Sequence, residues 1–191
     1  MKSILFIDGE NFKGKAKEIF KEDGRLRPEW YTYDFRGLFD RVLGRIKIDE
    51  KIFYFARLKE YPQTREKSKQ LIEEQRLLKT HLEKQGFKVV FAGRVRRQND
   101  DKNLLIFKEK GVDVKIAVDM VIQACDGKLK EALICSSDSD LQPAITELTK
   151  REIKTIYIGF ENKPNKGLTY TTDKTILIRN SELFEFEKTL F

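Results

Sequence analysis

Asp8 and Asn11 follow an apolar run at residues 4–7, Asp113 opens the most apolar helical segment, and Asp138 and Asp140 follow a second apolar run at residues 132–135. Were those two runs adjacent strands, Asp8 would lie close to Asp138 and Asp140. Two carboxylates about 4 Å apart repel by roughly 4 kcal/mol at an effective dielectric of about 20. Protonation relieves that repulsion, and so does a hard divalent cation. Mg²⁺ prefers oxygen donors and keeps several waters. Two cysteines and one histidine, His81, are too few for a zinc site of the usual Cys/His spacing. Mg²⁺ or Mn²⁺ is therefore the expected metal. Such an ion orients a phosphate, activates water and stabilises a leaving oxyanion, which is phosphodiester hydrolysis without a histidine base. Asn11 can orient a ligand without adding charge.

Each residue also has a plainer reading. An Asp after a strand often forms a turn or caps a helix, and Asp138-Ser139-Asp140 is a good capping sequence. Asp113, just after Gly111, could simply complement a helix dipole. Their combination is what favours a site. Asp119 fits less well. Lys115, Asp119, Gln123 and Asp126 share one polar helical face, and Lys115–Asp119 is an ordinary i,i+4 pair. Glu10 is weaker again, because residues two apart on a helix do not face each other.

The segments that must hold these groups alternate between strand and helix. Strands are expected at residues 4–7, 51–58, 87–91, 132–135, 153–159 and 176–178. Helices are expected at 11–21, from Asp34 as a cap with Phe35, Leu38, Phe39, Val42 and Leu43 inward, at 63–85 with Leu71, Ile72, Leu78 and Leu82 inward, at 110–126 and at 141–151. Residues 26–33 and 162–172 read as connections. A polar, basic stretch followed by an apolar one suggests a β-ribbon or flap at 94–109. The alternation calls for an α/β fold with a mainly parallel sheet covered on both faces, whose functional groups gather beyond the carboxyl ends of the strands. With no internal repeat and no linker, residues 1–191 read as one domain.

Lys and Arg number 38 against 31 Asp and Glu, a net charge of +7. That excess favours an anionic partner, nucleic acid first. Arg57, Lys59, Arg65, Lys67 and Lys69 bracket the start of the long helix, and Arg94, Arg96, Arg97 and Lys102 fall in the flap. An acidic centre inside a basic rim suits RNA: the rim holds flanking phosphates and the metal holds the scissile one. Tyr61 could stack on a base. The helix charges could equally form weak surface pairs among Arg65, Lys69, Glu73 and Glu74. There is no Walker loop and no G-x-G-x-x-G, so no nucleotide cofactor is expected. No segment approaches a membrane span and the first apolar run is too short for a signal peptide, so the expected setting is cytoplasmic, without a membrane partner. Cys125 and Cys135 read as small buried hydrophobes. Association into a homo-oligomer is left open.

Three segments together resemble the NYN-domain proteins, a branch of the PIN-like nucleases. They are Ile4-Leu5-Phe6-Ile7-Asp8-Gly9-Glu10-Asn11, the stretch from Lys110 to Met120, and the stretch from Ile134 to Ala144. The similarity runs to about Gly159, and the tail after 160 is less family-like. The resemblance implies a PIN-like three-layer sandwich and a Mg²⁺- or Mn²⁺-dependent ribonuclease. It maps the motif aspartates onto Asp8, Asp113, Asp138 and Asp140, with Asn11 as the associated polar residue, and it adds weight to Asp119. Ser137 departs from the pattern, since a Gly is common there. Three rivals remain: a non-catalytic RNA-binding module on the same fold, a structure-specific DNA nuclease, and a phosphotransfer domain with Asp8 as nucleophile. The last is disfavoured because Glu10 stands where the haloacid-dehalogenase pattern has Asp.

Overall fold

The structure, a computed structural model, describes residues 1–187 except 61, 63, 64 and 100–104, and at 96–99 and 105–109 the backbone alone. Strands β1 (Lys2–Asp8), β2 (Glu50–Arg57), β3 (Lys88–Asn99), β4 (Leu105–Lys110), β5 (Leu129–Cys135), β6 (Lys154–Phe160) and β7 (Lys174–Ile178) form one sheet in the order β4-β3-β2-β1-β5-β6-β7. Six of them pair in parallel, and β4 joins β3 antiparallel at one edge.

Helices α1 (Gly9–Glu22), α2 (Phe35–Leu43), α3 (Arg65–Lys84) and α7 (Asn180–Glu185) cover one face of the sheet; α4 (Val112–Cys125), α5 (Gln142–Lys150) and α6 (Lys166–Thr171) cover the other. Side chains alternate along a strand. In β1, Leu5 and Ile7 enter the first core beside Phe12, Phe53 and Leu82, whereas Ile4 and Phe6 enter the second beside Ile116, Met120 and Leu148. Burial on both faces is why residues 4–7 read as an unbroken apolar run. The three-layer α/β/α sandwich agrees with the sequence reading.

Strand β1 lies between β2 and β5, with Ile7 opposite Cys135 and Asp8 opposite Tyr54. From β1 the chain moves outward through β2, β3 and β4, then crosses back to β5 on the other side. The carboxyl ends of β1 and β5 therefore flank the crevice where the strand order reverses.

Strand β3 serves two partners. It pairs with β2 from Lys88 to Phe91 and, past a register shift between Phe55 and Arg57, once more at Arg94, from which it also pairs with β4. Gly93 sits in that irregularity with φ of 63°, and a Cβ there would overlap the Lys110 carbonyl. An extra residue of this kind bends a strand and increases its twist. The antiparallel pairs from Arg94–Lys110 to Asn99–Leu105 are the expected ribbon.

Some expectations are corrected. Residues 162–172 are not a plain connection: α6 forms there, capped by Asn165, whose side chain accepts from the Leu168 N–H. Helix α7 is an addition to the expected elements. On α3, Leu78 and Leu82 are buried, while Leu71 and Ile72 are half-buried. Cys135 is buried as expected, but Cys125 is exposed, because it ends α4 on the side facing away from the sheet. Helix α1 begins at Gly9, earlier than its periodicity suggests, because Asp8 caps it. A Cβ on Gly9 would overlap the Phe55 ring. Gly9→Ala is therefore expected to destabilise the fold by about 1–3 kcal/mol, seen as a lower denaturant midpoint with unchanged slope.

Candidate metal centre

Asp8 is the last residue of β1 and the N-cap of α1. Its Oδ1 accepts the Asn11 N–H at 3.0 Å. The residue is only 8% exposed. Burial, partly offset by that hydrogen bond, pushes its carboxyl up to about 6, and the charges of Asp138, Glu10 and Asp113 push in the same direction. A carboxylate that is hard to ionise for want of solvent and for the presence of like charges is one whose charged form a cation would favour.

Asp138 caps a short 3-10 turn at Ser139–Leu141, accepting the Asp140 N–H on Oδ1 at 2.9 Å. Its own N–H donates to Ser136 Oγ at 3.1 Å. Asp113 lies in the first turn of α4, just after Gly111, whose φ of 90° opens that helix. Asp113, Asp138 and Asp140 can each bring a carboxylate oxygen within 4.8 Å of the others. Asp8 lines the same cleft, of about 540 Å³, with Glu10, Asn11 and Lys110. The plainer readings thus hold for residues that also line one cleft. Asp8 and Asp138 each give Oδ1 to a helix start while lining the cleft.

Asn11 acts on the loop rather than adding a charge. Its Oδ1 accepts the Ser137 N–H at 2.9 Å. The Ser137 carbonyl in turn accepts from Asn165 Nδ2 at 2.8 Å, and the Asn165 N–H donates to the Tyr157 hydroxyl at 3.0 Å. Both backbone polar groups of Ser137 are therefore clamped, from α1 and from α6, immediately before Asp138. Ser137 has a negative φ, so the loop does not require Gly there. Asn165 escapes the sequence reading. Its spacing to Leu168 marks a helix cap, but nothing in the sequence couples it to Ser137. Asn165→Ala is expected to cost about 1 kcal/mol through the lost cap and to weaken Mn²⁺ binding about tenfold through the released loop, as read by electron paramagnetic resonance titration.

Asp119 is engaged elsewhere. Its Oδ1 lies 2.5 Å from Lys115 Nζ, its Oδ2 accepts from the Tyr54 hydroxyl at 3.1 Å, and it is not among the residues lining the cleft. Glu10 is exposed and pairs with Lys13 at 2.7 Å, yet it lines the rim.

Arg57 and Arg94 stand opposite each other past the register shift between β2 and β3, at the edge that carries the acids, and both are exposed. Arg94 pairs across the ribbon with Lys110, the cation that lines the cleft. Arg65 and Lys69 are exposed and engaged in surface pairs with Glu60 and Glu66. The side chains of Arg96 and Arg97, and all of Tyr61 and Lys102, lie outside the described residues. The donor set is carboxylate throughout, which fits a hard cation such as Mg²⁺ or Mn²⁺.

The family model described as the NYN domain matches residues 2–179, so the match continues through β7, past Gly159, where the sequence resemblance ends. A solved structure of a protein of unknown function from Vibrio parahaemolyticus RIMD 2210633 is similar over 93% of this chain and 93% of its own, with a TM-score of 0.60 and 16% identity. That likeness concerns the fold alone. No curated protein matches the sequence significantly.

Proposed function

Since this chain belongs to the NYN domain family, within the PIN-like nuclease superfamily, we propose that it is a ribonuclease that hydrolyses RNA phosphodiester bonds with Mg²⁺ or Mn²⁺. The observation that carries this reading is the gathering of Asp113, Asp138 and Asp140 within 4.8 Å, beside the buried Asp8, in one cleft at the carboxyl edge of the sheet. Asp8, Asp113, Asp138 and Asp140 would hold the ion, directly or through water. Bound there, the ion supplies Lewis-acid activation of the phosphate and of water.

The chain's own residues do the rest. Asn11 and Asn165 fix the turn that aims Asp138 and Asp140. Lys110 presents a cation at the cleft wall to a phosphate of the bound strand. Arg57 and Arg94 are exposed beside the cleft; with Arg65 and Lys69, and with Arg96 and Arg97 of the ribbon, whose side chains lie outside the described residues, they would attract the polyanion, so binding weakens with added salt.

Cleavage of labelled RNA with and without Mn²⁺ tests this, comparing the unaltered chain with Asp8→Asn and Asp138→Asn. Turnover that needs Mn²⁺ and both carboxylates is expected. Salt-sensitive binding with no turnover would leave a non-catalytic RNA-binding module. Preferential cleavage of branched DNA over RNA would make it a DNA nuclease.

A further inference from the structure

A second cavity, of about 330 Å³, opens beside the acidic cleft, and Glu10 lines both. We propose that it takes one unpaired nucleobase of single-stranded RNA, guanine before the other three, next to the phosphate held at the acids. The proposal rests on the reading that the acidic cleft handles RNA.

Its walls suit a base. Trp30 and Tyr31, from the connection between α1 and α2, and Phe55, from β2, bring three aromatic rings to one cavity. Lys13 Nζ stands 5.3 Å from the centre of the Phe55 ring, and Trp30 is packed against Phe12, Tyr33 and Phe35 in the core, which leaves the half-buried Tyr31 as the surface for stacking. Aromatic stacking holds bases splayed out of single strands. The volume lies at the small end of ligand pockets, which span roughly 300–1,000 Å³. It has room for one nucleoside and none for a helix.

Its charges select the base over the phosphate. Glu10, Glu29 and Glu74 line it against Lys13 and Arg27, and Lys13 is paired with Glu10. The excess of carboxylates repels a phosphate, so the phosphates stay outside, where the cleft and rim can hold them. A carboxylate can only accept hydrogen bonds. Guanine carries N1–H and N2–H₂ side by side on its Watson–Crick edge, two donors for one carboxylate; adenine, cytosine and uracil each place fewer donors there.

Trp30 is the chain's single tryptophan, so intrinsic fluorescence reports on this cavity. In EDTA, where no cleavage intervenes, the full chain is titrated with GMP, AMP, CMP and UMP, and with ribose 5-phosphate. Saturable quenching is expected with GMP about tenfold tighter than with CMP or UMP, and none with ribose 5-phosphate. Tyr31→Ala should weaken GMP about tenfold, the scale of one lost stacking partner. Glu74→Gln, on the half-exposed side of α3, should keep the fold by thermal melting and abolish the guanine preference. Quenching by none of the four nucleotides, with Mn²⁺-dependent RNA cleavage intact, overturns the base pocket and leaves the nuclease reading standing. Quenching by GMP without any cleavage does the reverse. Equal quenching by all four, or quenching by ribose 5-phosphate, overturns the guanine assignment.

Discussion

Asp8→Asn is expected to melt several degrees above the unaltered chain in EDTA at pH 7.5, while losing RNA cleavage. The Asp8 carboxyl is raised from 3.8 to about 6, chiefly by burial. Between pH 4 and 6 the folded chain therefore keeps a proton that the unfolded chain has released. The folded state binds more protons there, so its stability falls as pH rises through that window. The gap corresponds to roughly 3 kcal/mol of stability, fully present below pH 4 and absent at pH 7.5. The substituted amide cannot ionise, still offers an oxygen to the Asn11 N–H, and avoids the cost. For a chain of this length roughly 3 kcal/mol moves the midpoint by about 6–12 °C. Mn²⁺ should reverse the order, because it stabilises the unaltered chain and much less the variant. Thermal melts at pH 4 and 7.5, with EDTA or Mn²⁺, read all four corners. An Asp8→Asn midpoint at or below that of the unaltered chain in EDTA at pH 7.5 would mean that Asp8 is not a strained anion.

Asp138→Asn and Asp113→Asn are expected to lower Mn²⁺ affinity at least tenfold and RNA cleavage at least a hundredfold, whereas Asp119→Asn leaves Mn²⁺ binding within about twofold. Two carboxylates within the 4.8 Å that bounds the cluster repel by at least roughly 3 kcal/mol at an effective dielectric of about 20. A cation among them gains what each anion loses to its neighbours, and removing one charge removes a large share of that gain. Asp119 spends its charge on Lys115 and Tyr54 instead, so its loss should appear as about 1 kcal/mol of stability. Titration of Mn²⁺ by electron paramagnetic resonance separates the two classes. A drop for Asp119→Asn equal to that for Asp138→Asn would place Asp119 among the ligands.

The α/β alternation is legible because each buried strand is an apolar run closed by a turn signal: residues 4–7 by Asp8-Gly9, and residues 132–135 by the Ser-Asp loop. The acids of the cleft are legible for a related reason, since a carboxylate directly after a buried strand has few places to go but the strand's open end. What stays hidden is long-range pairing of neutral groups. Asn165 and Ser137 look like ordinary turn residues, and only folding shows that one holds the other. Helix α6 is hidden too, because six residues with Gly and two Thr carry little periodicity, and packing of Leu168 decides the matter. The exposure of Cys125 illustrates the converse: an apolar helix need not bury every face, and Val114, Val118 and Ile122 on α4 are exposed as well.

The place of β1 in the middle of the sheet has a consequence for the order of events at the ribosome. Synthesis delivers β1 first, but its neighbour β5 emerges only after four helices and three further strands, and the Asn165 clamp later still. Until then Asp8 stands without Asp138 and Asp140. If the cleft cuts RNA as proposed, a growing polypeptide surrounded by messenger and ribosomal RNA carries no assembled cutting centre, and any danger to its own template begins only once β5 and the loop after it have been made.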